Sequence, residues 1–336
     1  MLGITLFIQI LRGLLLLLDY SSMDGYARIM FIIFERKFGW FLKLFHSNNA
    51  SFIFVCIYFH LFKNVRVYGY RLVKTWYSGL LMMILIIGAG FSGYCLVSRQ
   101  ISFWAAIVIT SLISVIPFCG EVIMYFVWGG YMINWITIQL LFLVHFILPF
   151  LVMVILIFHL SFLHERGRSR GILSFFNIEK IPFFCYFWLK DSLNLVIYLI
   201  FLFLMLVYPY VLGEVELFEE ANTINSPVHI VPEFYFCAQY SILRSVPSKG
   251  VGVLIIILSI GVLFIYPLSV SYVSVSRVVR GSWSVFFFVY AYLRYLGIAP
   301  ISQPFIMLSI IRTLVYFSYH LLSMLLNCLV AYFYSV

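Results

Sequence analysis

Long apolar runs separated by short polar connections organise this chain. The runs near 1–19, 43–63, 75–97, 134–163, 191–212, 250–271, 283–299 and 304–334 each approach the length that crosses a bilayer core, about 20 apolar residues. They predict eight transmembrane helices and an all-α, polytopic membrane fold. The segment 100–133 is also apolar, but Pro117, Gly120 and the Gly129-Gly130 pair interrupt it. It is expected to form one or two short helices at the interface and not a further span. Two connections are polar. One, 164–190, carries Arg166, Arg168 and Arg170; the other, 213–249, carries Glu214, Glu216, Glu219 and Glu220. The chain is therefore expected to divide into an N-terminal four-helix bundle with interfacial helices (1–165) and a C-terminal four-helix region (166–336) containing the 213–249 loop.

Composition supports the membrane reading. The chain is 64% hydrophobic, 20% aromatic and only 10% charged, against about 25% charged in soluble domains. Its formal net charge of +9 sits mostly on alternate connections, with Lys63, Arg66, Arg71 and Lys74 on one, the arginine cluster on a second, and Arg277 and Arg280 on a third. Positive charge marks the side of synthesis, so the excess is read as topology, with both termini on the basic side, and not as a nucleic-acid surface. The six cysteines show no metal-ligand spacing and behave as small apolar residues.

Four of the seven histidines form two pairs with one spacing. His46 and His60 lie fourteen residues apart, as do His145 and His159. Fourteen residues make nearly four helical turns, which places both members on one face about 21 Å apart. Two such helices side by side bring imidazoles together at two levels. Neutral imidazole ligates iron well, and two axial imidazoles leave the iron closed to oxygen and suited to electron transfer. The pattern predicts two b-type haems stacked across the membrane in a four-helix bundle. Gly79 and Gly93, again fourteen apart, would let backbone approach the haems, although glycines also serve ordinary helix packing in membranes. Lys43 and Lys63 lie within about one turn of His46 and His60 and could meet haem propionates or simply snorkel to the interfaces. A proton-coupled transporter is the reading from another class; it would bind no haem.

The motifs around these residues resemble the cytochrome b family, the central subunit of ubiquinol–cytochrome c reductase (complex III). The resemblance runs from about residue 2 to the end. It is carried by the segments 46–60 (HSNNASFIFVCIYFH), 102–121, 145–167, 180–191 (KIPFFCYFWLKD) and 232–254. It implies that His46 and His145 ligate the lower-potential haem near the intermembrane face, and His60 and His159 the higher-potential haem near the matrix face. It implies a quinol-oxidation pocket around Pro232, Glu233, Phe234 and Tyr235, with Glu233 accepting a proton and Tyr94 and Tyr240 lining the site. It implies a quinone-reduction pocket using His164 and Asp191, assisted by Lys190. The implied assembly is a mitochondrial inner-membrane complex containing a Rieske iron–sulfur protein, cytochrome c1, further complex III subunits, a second copy of this chain and bound lipid, with proton translocation coupled to quinol turnover. The chain departs from the family pattern at several points. Lys43 and Lys63 stand for two propionate-binding arginines, which costs the planar guanidinium fork. Asn49 stands for a glycine, Phe234 for a tryptophan, and Val97-Ser98-Arg99-Gln100 for Pro-Trp-Gly-Gln, which puts a charge near the quinol pocket.

Overall fold

The computed structural model describes residues 1–167, 181–211, 218–227, 230–269 and 277–335. Arg168, Arg170, Lys180, Glu214, Glu216 and His229, and the side chains of Arg277 and Arg280, lie outside the described residues. Within them the fold is helical, with one isolated bridge between Arg99 and Glu220. The helices are α1 (Leu2–Leu17), α2 (Gly25–Phe34), α3 (Gly39–Arg66), α4 (Val73–Cys95), α5 (Gln100–Thr110), α6 (Gly120–Trp128), α7 (Trp135–Arg166), α8 (Trp188–Val207), α9 (Cys237–Arg244), α10 (Lys249–Ile265), α11 (Arg277–Ile298) and α12 (Phe305–Ser335).

Helices stand at all eight predicted positions, but the expected eight spans are not all equivalent. Among the described residues, five helices are long and apolar enough to cross a membrane alone, and a sixth arises only if Leu2–Leu17 and Ser22–Phe34, bent by 78°, count as one span. The first predicted run, 1–19, ends at this bend, and α2 is an element that the apolar runs did not predict. α3 falls outside the five because Lys43, Asn48, Asn49, His60, Lys63 and Arg66 dilute its apolar character. Its 28 residues still reach about 42 Å, more than the roughly 30 Å of the hydrocarbon core. In α11 the apolar stretch is the short Trp283–Ile298. The 100–133 segment forms two short helices, α5 and α6, as expected, and the 213–249 loop contains the unpredicted helix α9.

α4 and α7 pack along each other, α1 lies on α3, and α3 also meets α8 and α11, while α9, α10, α11 and α12 assemble a second cluster. Polar side chains hold the first group together. Asn49 is fully buried; its Nδ2 donates to Thr5 O (3.2 Å) and to Gln9 Oε1 (2.8 Å) on α1, and its Oδ1 accepts from Tyr198 Oη (3.2 Å) on α8. Gln9 Nε2 in turn donates to the His46 carbonyl (2.8 Å). An apolar environment makes an unmade hydrogen bond expensive, so the asparagine that replaces a glycine of the family pattern ties three helices at the level of His46.

Candidate functional site

Two of the four histidines, His46 and His145, are brought face to face. The His46 and His145 rings face each other from α3 and α7, with centroids 6.1 Å apart and planes at 83°. A metal-bound imidazole nitrogen lies about 2 Å from its metal, and the ring centre lies about 1 Å beyond that, so two axial imidazoles on one iron place their centroids about 6 Å apart. The observed separation fits a bis-imidazole metal centre. At the other level His60 and His159 are electrostatic neighbours, with His60 more exposed than His159.

Two glycines fourteen residues apart on α4 hold the α7 rings in place. A Cβ built on Gly93 would lie 2.8 Å from His145 Nδ1, and one on Gly79 would lie 3.2 Å from His159 Cε1. A third glycine, Gly13 on α1, does the same for His46, at 3.1 Å from its Cε1. The close approach at these glycines is thus to the histidine rings themselves.

Second partners fix the tautomers. His145 Nδ1 lies 2.8 Å from the Ala89 carbonyl. A carbonyl only accepts, so Nδ1 carries the proton and Nε2 is bare. His159 Nδ1 lies 2.9 Å from Ser78 Oγ. That hydroxyl gives its own proton to the Thr75 carbonyl (3.0 Å) and therefore accepts from Nδ1–H. Both α7 imidazoles so present a bare Nε2, the form a metal requires. Pro149, one turn after His145 inside α7, lacks the N–H that would cap the His145 carbonyl. Ser78 and Ala89 escaped the sequence reading: a backbone acceptor has no residue signature, and serine is common in membrane helices.

A cavity of about 280 Å³ opens beside the His46/His145 pair. Its walls include Gly13, Lys43, Gly90, Gly93, Tyr94, Arg99, Pro149, Glu233 and Tyr235, so the ligand pair and the Glu233 segment share one space. The segment is firmly seated. Tyr235 stacks on Phe54 (4.0 Å, 8°) over Gly90, and its carbonyl accepts from Tyr58 Oη (2.6 Å). The Phe234 carbonyl accepts from Arg294 Nε (3.2 Å), and the guanidinium covers the Phe234 ring at 4.7 Å. Burial first, and then Glu233 and Tyr94, hold the Tyr235 hydroxyl well above its usual pKa, so it stays a neutral phenol. Gln100, between the lining residues Arg99 and Ile101, donates to Asn225 O (2.8 Å) and accepts from Asn222 N (2.6 Å). Tyr240 lies elsewhere: its ring carries the Arg244 guanidinium at 4.8 Å.

The other expected site residues are not gathered in the same way. His164, Lys190 and Asp191 are all exposed, as is Lys63. Asp191 sits in the first turn of α8, where a carboxylate suits the helix dipole. No hydrogen bond or ion pair joins His164, Lys190 and Asp191 to one another among the described residues. Nearby, Lys74 pairs with Glu165 (3.2 Å).

Residues 1–167 match the family described as cytochrome b/b6/petB, and residues 220–317 match its C-terminal cytochrome b/b6/petD counterpart. Cytochrome b of Caenorhabditis elegans is 40% identical over 321 residues, covering 94% of this chain and 86% of that protein. This chain belongs to the cytochrome b family. Cytochrome b of Caenorhabditis briggsae is 39% identical over the same length. A chain of a solved hyperthermophilic respiratory Complex III matches with a TM-score of 0.89 and 25% identity, covering 98% of this chain and 90% of its own. As a cytochrome b, the chain is a multi-pass membrane protein with a family-typical requirement for b-type haem.

Proposed function

We propose that this cytochrome b is the quinol-oxidising, quinone-reducing subunit of a mitochondrial complex III, with one b haem between His46 and His145 and another between His60 and His159. The facing His46 and His145 rings, in one cavity with Glu233, carry the reading. Bound haem supplies one-electron exchange at each level.

The chain's own residues supply the rest. α7 offers two bare imidazole nitrogens, fixed by Ala89 and Ser78, and α3 offers the opposing pair. Lys43 and Lys63 stand near the ligands as counter-charges for propionates. Glu233 takes a proton as quinol is oxidised at the cavity, while Tyr94 and the neutral Tyr235 shape its wall; Tyr240 supports the segment from α9. Quinone reduction falls to the opposite face, where His164 and Asp191, with Lys190, would approach the substrate and deliver protons. Of the two quinol electrons, one would leave on the oxidation side and the other would pass to quinone at the opposite face; this charge movement, with proton release at one face and uptake at the other, would make the reaction electrogenic. The Rieske protein and cytochrome c1 would receive the electron that leaves, within a homodimer of this chain, both termini on the matrix side.

The decisive assay is quinol-driven cytochrome c reduction by the assembled complex. Glu233→Gln should slow it by about a hundredfold or more, the usual scale for loss of a proton acceptor, with haem content unchanged. A rate equal to that of the parent would remove Glu233 from proton transfer. A haem-containing complex without quinol oxidation would overturn the proposed reaction.

A further inference from the structure

Arg99 lines the cavity as a charge with no hydrogen-bond or ion-pair partner among the described residues. Its residue is 1% exposed, and its Nε and both terminal nitrogens are buried with no hydrogen-bond partner among the described residues. Its backbone is pinned: the Arg99 amide donates to Ser102 Oγ (2.9 Å), the residue bridges Glu220, and the next amide donates to Glu219 O (3.2 Å). The side chain is thereby fixed toward the cavity wall, with its guanidinium 5.1 Å from the Phe218 ring centroid. Burial lowers the Arg99 pKa, and Tyr26 and Tyr210 oppose that shift; a guanidinium still keeps its proton near neutral pH. A buried cation with none of its donors used is costly, unless an anion occupies the space before it.

The anion must fit what surrounds Arg99. Lys43 lines the same cavity and stands within electrostatic reach. Two cations beside one histidine pair match the two carboxylates of one haem. Arg12, whose Nη1 is also buried without a hydrogen-bond partner among the described residues, is not part of the cavity wall.

We propose that Arg99 binds a propionate of the haem held by His46 and His145, sharing the two carboxylates with Lys43. The proposal rests on the two-haem reading above. A guanidinium offers a carboxylate two parallel donors, which restores a planar fork that a lysine at position 43 lacks.

The test is a potentiometric titration of the purified complex, followed in the haem absorption bands, for the parent, Arg99→Gln and Arg99→Lys. A nearby cation favours the reduced haem, so Arg99→Gln should move the lower-potential step to more negative potential and leave the higher step in place. The expected shift is of the order of tenfold in the redox equilibrium, about 59 mV for a one-electron couple. Arg99→Lys should recover most of it. Both steps unmoved in Arg99→Gln would overturn the proposal. So would a raised KM for quinol with both steps unmoved, which would assign the guanidinium to the substrate. A parent complex without haem would instead sink the two-haem reading, and it would show before any substitution was made.

Discussion

The two histidine levels are built from the same spacing and finished differently. At the His46/His145 level, four helices contribute: Gly13 on α1 and Gly93 on α4 seat the rings from α3 and α7, Asn49 and Gln9 tie α1 to α3, and the Glu233 segment and Arg99 line the cavity. At the His60/His159 level, among the described residues, only the α7 ring has a glycine seat, and as at the first level only the α7 ring has a fixed tautomer. His60 is exposed and the nearby polar residues are spread over the surface. The contrast teaches that a repeated histidine interval sets where two pairs of rings stand, whereas the surrounding loops decide how much of a wall each level receives. The Glu233 segment and α5 both contribute to the wall of the first level.

The sharpest way to break this comparison is to remove one ligand at a time. His145→Ala and His159→Ala should each abolish one haem and leave the other, halving haem per chain. The surviving redox step should be the higher one in His145→Ala and the lower one in His159→Ala. Loss of both haems from either variant would mean that the levels are not independent sites.

The glycine seats give the next largest effect. A methyl on Gly93 would press on His145 more closely than one on Gly79 presses on His159, reaching Nδ1 at 2.8 Å against 3.7 Å. Gly93→Ala should therefore displace its ligand and deplete the lower-potential haem, while Gly79→Ala should shift the higher step and retain the haem. Haem quantification of both variants decides it, and equal loss would mean that the seats are equally tight.

A smaller effect separates the tautomer locks. Ser78→Ala removes the hydroxyl that accepts from His159 Nδ1–H. Loss of such an outer hydrogen bond costs about tenfold or more in metal-site affinity, so the variant should release the higher-potential haem faster in a haem-transfer assay. The Ala89 carbonyl cannot be deleted by a side-chain change, so an Ala89→Ser variant should leave haem retention at its level unchanged. The smallest effect is structural. Asn49→Ala deletes the links to Thr5, Gln9 and Tyr198 and should cost about 1–3 kcal/mol, read as a lowered unfolding temperature of the complex with both haems still present.

Much of this was legible in the chain. Apolar run length located helices at eight positions, because a bilayer imposes a fixed length on each. The fourteen-residue interval put His46, His145, His60 and His159 on facing lines, and Gly79 and Gly93 behind two of them. The resemblance placed Glu233 and Tyr235 by the first pair, and the cavity holds both. The rest was hidden for physical reasons. α2 was hidden because its apolar residues, 29–34, are too few for a span and follow the polar residues Asp19, Ser21, Ser22, Asp24 and Arg28. Charges and amides in α3 are needed for ligands and helix ties, so it lacks the composition of a span. Ala89 acts through its backbone and Ser78 through one hydroxyl. Arg99 was expected near the quinol pocket as a charge, but its lack of partners is a property of packing that no spacing reveals.

The measurement that bears most directly on the central claim is the dithionite-minus-oxidised difference spectrum of the purified complex, taken with haem quantified per chain. The account predicts two b-type haems per chain, reduced in two separate potential steps. One haem, or none with the protein intact, would contradict it.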